Sequence, residues 1–236
     1  MSVGHEGVVR MLSVGMQNLR RLSRFCDGVN VMTLQVAISC VDGKLLASDS
    51  KVTLTGQYQY TTSGPKIFKA KDRSLAVACA GYDLALTAAR MLVKAVDEKK
   101  FDFSNVAQEL ERVGEEAYKE EFSTILSKLE DRGRSEQPQN DLLIIGASLK
   151  TLFRLAVCSK PRATEFHTRA IAGDIGNSSI FILERYLPNK RVTLSQAKLA
   201  AAHFILMGGE VNQTSVGGLE MVTLSADGFI QDISAN

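Results

Sequence analysis

Apolar and polar positions alternate along this chain in short blocks. Leu34–Val41 and Lys44–Thr53 are apolar strand-like runs on either side of Asp42-Gly43, and Asp-Gly between such runs is a strong short-range hairpin signal. Lys66–Lys69 and Leu75–Ala80 read as two more strands joined by the polar turn Ala70–Ser74, with a loop between Thr55 and Pro65. Past Gly81 the period lengthens. In Tyr82–Lys99 the residues Leu84, Ala88, Met91, Leu92 and Ala95 recur at helical spacing. Phe103–Asp131 is a second, longer helical stretch charged on one face, and Arg132–Asn140 is a polar loop containing Gly and Pro. Strands resume at Asp141–Ala147, Leu152–Cys158 and Thr164–Ala172, followed by helices at about Ser178–Tyr186 and Leu194–Met207. The last strands, Leu219–Leu224 and Phe229–Ile233, surround a second Asp-Gly at Asp227-Gly228. Strand block, helix pair, strand block, helix pair and closing strands predict two stacked antiparallel sheets with helix pairs outside.

Composition narrows the classes. A chain of 236 residues suits one large domain with a sizeable core. Its net charge of +2 gives no argument for nucleic acid or an anionic membrane surface. No apolar run approaches ~20 residues, so no membrane-spanning helix is expected. Cys26, Cys40, Cys79 and Cys158 are widely spaced and three lie in strand-like runs, which favours reduced thiols in a cytoplasmic protein over disulfides or a zinc site. No metal, cofactor or nucleotide motif is present, and Gly208-Gly209 and Gly217-Gly218 lack the pattern of a phosphate loop.

The stretch before Thr33 reads separately. From Gly7 to Cys26 it carries four arginines and no acid among scattered apolar residues. Residues 1–32 are therefore expected to be a propeptide, a leader, or sequence upstream of a true start at Met32; residues 33–236 form the domain. Removal of a propeptide or of Met32 would expose the same residue, Thr33.

That residue carries the chemistry. A chain beginning at Thr33 would hold a hydroxyl nucleophile and a free α-amine on one residue, and an amine with a pKa of ~8 can take the hydroxyl proton near neutral pH. Asp49 follows sixteen positions later, at the end of the predicted hairpin. Alone, a strand threonine, a loop aspartate and a lysine would each be unremarkable residues of a β protein.

From Thr33 onward the chain resembles the proteasome β-subunit superfamily of N-terminal nucleophile hydrolases. The resemblance rests on the nucleophile strand, on A-S-D-S-K at Ala47–Lys51, K-I-F at Lys66–Phe68, A-C-A-G at Ala78–Gly81 and S-V-G-G at Ser215–Gly218. The Met-Thr start and I-G-N-S-S at Ile175–Ser179 look more like the simple bacterial proteasome-related peptidases. The resemblance implies an α+β fold, a four-layer αββα sandwich, and a threonine endopeptidase working as a subunit of a homo-oligomeric ring. It implies Thr33 as nucleophile, Asp49 and Lys66 as the buried pair that keeps the amine a free base, and Gly81 as oxyanion donor. Val52, Phe68 and Cys79 would line a primary substrate pocket suited to neutral, apolar side chains. Peptide or unfolded protein would be the substrate, and any energy dependence would come from a separate ATPase unfoldase, since nothing here binds ATP.

Several positions depart from the family pattern. Gln213 and Val216 stand where an aspartate and a serine support the nucleophile, with Ser215 one place early. Gly176 and Asn177 stand where a serine is expected, with Ser178 beside them, and Lys51 replaces an arginine. Ser178, Ser215 and Lys51 are thus candidate supporting residues. Two other readings stay open: a catalytically silent ring subunit, and a small-molecule amidase using the same nucleophile.

Overall fold

The computed structural model describes residues 33–55, 59–81, 83–122, 140–173, 183–185, 187, 192–211 and 216–233. One sheet has the order β10-β1-β2-β11-β12, built from Arg169–Gly173, Leu34–Cys40, Gly43–Ser48, Glu220–Ser225 and Ile230–Ile233. The other has the order β5-β6-β7-β8-β9, built from Ile67–Lys69, Leu75–Ala80, Asp141–Gly146, Leu152–Ala156 and Arg162–Phe166. Every pairing within both sheets is antiparallel.

Strand alternation explains the layering. In β1, Leu34, Val36 and Ile38 point outward and pack with Ala197, Ala201, Phe204 and Ile205 of helix α3 (Leu194–Val211). Ala37 points inward and meets Leu46, Ala76, Ala78, Leu143 and Ile145 between the sheets. The outer face of the second sheet, including Leu75, Val77, Leu142 and Ile144, is covered by helices α1 (Asp83–Asp97) and α2 (Val106–Phe122). Helix, sheet, sheet, helix: the four-layer α+β sandwich expected from the sequence is the fold observed.

Helix α1 stops where Lys99 takes a left-handed φ of 57° and the Lys100 N–H returns to the Ala95 carbonyl at 2.8 Å. Helix α2 starts three residues later than predicted, because the Asp102 carboxylate caps the Ser104 N–H at 2.8 Å and holds Phe103–Asn105 as a turn. Among the described residues no helix is long and apolar enough to cross a membrane, which says nothing of strands.

Two expected strands are each divided in the structure. Lys44–Thr53 is not one strand: β2 ends at Ser48, and Lys51–Thr55 (β3) leaves the sheet to pair with Gln59–Ser63 (β4) in a separate hairpin. The break is Asp49, whose carboxylate accepts from the Leu34 and Lys51 N–H groups and turns the chain. The expected loop between Thr55 and Pro65 therefore includes a strand. Thr164–Ala172 is likewise two strands, β9 and β10, which belong to different sheets on either side of His167-Thr168. An unbroken alternating pattern cannot reveal a crossover at which the chain changes layers.

Candidate active site

The end of β1 and the end of β2 lie side by side, so the register alone brings Thr33 to Asp49. Leu34 is the first residue of β1, Gln35 is opposite Ser48, and the Asp49 N–H donates to the Leu34 carbonyl at 3.1 Å. Lys66 arrives from the other sheet, at the start of β5. Its Nζ donates to Thr33 Oγ1 at 2.9 Å and to Asp49 Oδ2 at 2.8 Å. Asp49 Oδ1 accepts the Leu34 N–H at 2.9 Å, and Oδ2 also accepts the Lys51 N–H at 3.1 Å. The three side chains are nearly closed off: Thr33 is 2 % exposed, Asp49 0 % and Lys66 7 %.

A buried ion pair is costly to desolvate unless its remaining hydrogen-bonding capacity is met. Here it is: the Asp49 carboxylate takes one ammonium and two backbone N–H donors. Burial still pushes the Asp49 carboxyl above its ordinary range, while the Lys66 ammonium and the two N–H groups pull the other way.

Gly81 sits directly after β6 with a φ of 121°, in a region that favours glycine. It lies two residues past Cys79, whose N–H donates to the Lys66 carbonyl at 3.0 Å. The described contacts therefore bring the Gly81 end of β6 alongside Lys66. Cys79 and Phe68 share one face of the β5–β6 ladder, next to Lys66 and packed against the α1–α2 cluster. Burial raises the Cys79 thiol to about 11, so that wall is uncharged near neutral pH. Val52 lies apart from them, in the β3–β4 hairpin opposite Thr62. Lys51 contributes its backbone N–H to Asp49, and its side chain lies 3.3 Å from where a Cβ on Gly217 would stand. Val216 is buried in the α3 cluster and supplies no hydroxyl. Ser178, Ser215, Gln213, Gly176, Asn177 and Cys26 lie outside the described residues.

Two residues at this site carried no signal recognised in the sequence. Gly173, at the end of β10, is opposite Leu34 with a φ of 90°, and a Cβ there would stand 2.6 Å from the Thr33 carbonyl carbon and closer still to its oxygen. Glu220, the first residue of β11, accepts the backbone N–H groups of Lys66 and Ile67 at 2.8 and 3.2 Å. In sequence it is a lone acid at a strand start; the clue was its inward parity with Val222 and Leu224, both of which pack between the sheets. A cavity of about 440 Å³ around Ser39–Val41 and His167–Arg169 opens at the opposite end of β1 and takes no part in the cluster.

No protein-family model matches the chain, and no curated protein matches it. Among solved structures it is similar to Anbu (ancestral beta-subunit) from Yersinia bercovieri, with a TM-score of 0.60 and 17% sequence identity over 86% of this chain and 88% of that one. At that identity the likeness establishes a shared fold. The sandwich has the fold of that ancestral beta-subunit.

Proposed function

We propose that the protein is a threonine endopeptidase whose nucleophile is Thr33 once the residues ahead of it are removed. The observation that carries this reading is the Lys66 ammonium held between Thr33 Oγ1 and Asp49 Oδ2, in a pocket that nearly excludes solvent. A buried hydroxyl bonded to a cation that is itself fixed by a carboxylate is an arrangement that a structural threonine does not need.

Each residue then has a task. The freed Thr33 α-amine takes the proton of Thr33 Oγ as it attacks the substrate carbonyl, since an amine titrating at ~8 is a competent base near neutral pH. Lys66 places a positive charge beside that amine, which disfavours a second one and keeps the amine unprotonated. Asp49 anchors Lys66 and offsets the cost of burying its charge. The Gly81 N–H faces the oxyanion that develops on the tetrahedral intermediate, where a fixed donor is worth most. The amine returns its proton to the leaving nitrogen, an acyl-enzyme forms on Thr33 Oγ, and water releases the product. Cys79 and Phe68 form the neutral wall of the primary pocket.

Assembly into a homo-oligomeric ring is part of this reading. Helix α3 buries one face on β1 and β2 and leaves Leu199 and Leu206, seven residues apart on one face, 76 and 55 % exposed, an apolar pair that a neighbouring subunit would cover. Substrate would then be a peptide or an unfolded chain, delivered where needed by a separate ATPase.

The test is hydrolysis of fluorogenic peptides by the wild type and by Thr33→Ala. Substitution is expected to remove activity to background, on the order of 10³-fold or more, with the fold and oligomer unchanged. Cleavage that persists in Thr33→Ala overturns the assignment, and an inactive ring of wild-type protein favours a structural subunit.

A further inference from the structure

We propose that Glu220 is a positioning residue for the nucleophile: projecting from one sheet, its carboxylate grips the backbone of Lys66 in the other and holds the ammonium against Thr33. The inference rests on the peptidase reading above and adds a residue to it.

Lys66 has an unusual supply of supports. Strand β5 is only Ile67–Lys69 and, among the described residues, stands at the edge of its sheet with β6 as its single neighbour strand. The carbonyl of Lys66, just before the strand, is taken by Cys79, but among the described residues no strand pairs with the Lys66 and Ile67 N–H groups. Both point to Glu220 Oε2, at 2.8 and 3.2 Å. A charged acceptor makes shorter and stronger bonds than a neutral one, so one carboxylate replaces the missing neighbour strand. Pro65, just before, has no N–H to offer.

The origin of this carboxylate explains its precision. Glu220 is opposite Ser48 in the β11–β2 register, and Ser48 is opposite Gln35 in β1. Gln35, Ser48 and Glu220 thus form one row across three neighbouring strands, on the face directed between the sheets. Part of the row is tied to the site: Gln35 Nε2 donates to Ser48 Oγ at 3.2 Å, and Ser48 Oγ donates to the Asp49 carbonyl at 2.9 Å. The next layer inward, Ala37, Leu46 and Val222, is wholly apolar. The polar row is therefore a ledge directly beneath the Thr33–Asp49 end of the sheet. Asp49 holds the Nζ end of Lys66 and Glu220 holds its backbone, and both reach out from adjoining strands of one rigid sheet. Lys66 is thus held at both ends, its Nζ by Asp49 and its backbone by Glu220, which is what a base-tuning cation 2.9 Å from Thr33 Oγ1 needs.

The experiment compares Glu220→Ala, Glu220→Gln and Thr33→Ala with the wild type, by steady-state peptide hydrolysis and by amide hydrogen exchange. Glu220→Ala is expected to lower kcat by about tenfold or more with little change in KM, because a small displacement of a catalytic group is expensive. Glu220→Gln, whose carbonyl oxygen still accepts both N–H groups, is expected to restore kcat to within about threefold. Exchange at the Lys66 and Ile67 amides should accelerate in Glu220→Ala and stay slow in Glu220→Gln. Wild-type kcat in folded Glu220→Ala, or equal loss in both variants, overturns the inference. If Glu220→Ala fails to fold, Glu220→Asp replaces it: one methylene shorter, it should lose the grip and the rate, and wild-type kcat there overturns the inference equally. The two readings fail separately. Activity that survives Thr33→Ala, or is missing from the wild type, sinks the peptidase reading, while the exchange data still decide whether Glu220 holds Lys66.

Discussion

Lys66→Ala is expected to reduce kcat/KM on the order of 10³-fold, a loss typical of removing a group that sets the state of the catalytic base. Two functions would disappear together: the hydrogen bond to Thr33 Oγ1 and, in the proposed mechanism, the positive charge that disfavours protonation of the Thr33 amine. The loss should be in kcat, since Lys66 is 7 % exposed and contacts Thr33, the proposed nucleophile, through its buried end. Stability should fall too, by about 3–5 kcal/mol, because the fully buried Asp49 carboxylate is left without its counter-charge. The pH dependence has a definite sign. Burial already raises the Asp49 carboxyl, against the pull of Lys66. A carboxyl raised on folding adds stability below its unfolded value and loses that contribution as the pH climbs through the folded one. Removing Lys66 raises the folded value further. The stability deficit of Lys66→Ala relative to wild type should therefore shrink between about pH 7 and about pH 5. Thermal unfolding midpoints at the two pH values measure it; a deficit that grows on acidification would mean that Asp49 and Lys66 are not coupled as described.

Gly173→Ala is the second large effect, and it involves no charge. The added methyl would collide with the Thr33 carbonyl, backbone against backbone, where neither partner can rotate away. The φ of 90° adds strain for any L side chain, about 1–3 kcal/mol. The β1–β10 edge must open at Leu34, which displaces Thr33 from Lys66. An activity loss of about 10²-fold is expected from a shift of that kind, together with a lower melting temperature. Wild-type kinetics in Gly173→Ala would show that Thr33 is not held by this contact.

Much of the architecture was legible because it depends on alternation. Leu34, Val36 and Ile38 against Gln35 and Ala37 announce a strand with two different faces, and the 3.6 period of Leu84, Ala88, Leu92 announces a helix over a sheet. The Asp-Gly turns at Asp42-Gly43 and Asp227-Gly228 were equally plain, since few dipeptides suit such tight hairpins. What alternation cannot carry is a change of partner. The switch from β9 to β10 at His167-Thr168 leaves the pattern intact while the chain moves to another sheet, and β3 continues the pattern of β2 past Asp49.

The candidate site divides along the same line. Thr33, Asp49, Lys66 and Gly81 were found through a resemblance in their spacing, and the fold brings the first three within hydrogen-bond range, with Gly81 ending the strand beside Lys66. Gly173 and Glu220 were missed for opposite reasons. Gly173 matters for the atoms it lacks, and a missing Cβ has meaning only when the neighbour is known. Glu220 acts through backbone amides, which have no identity in sequence.

The measurement that bears most directly on the whole account is the intact mass of the active protein, with N-terminal sequencing alongside. The hydroxyl and the base proposed here belong to one residue, and its amine can act only when it is free. Active material is predicted to begin at Thr33. Active protein that retains Met32 joined to Thr33 would contradict the mechanism, whatever the geometry around Lys66.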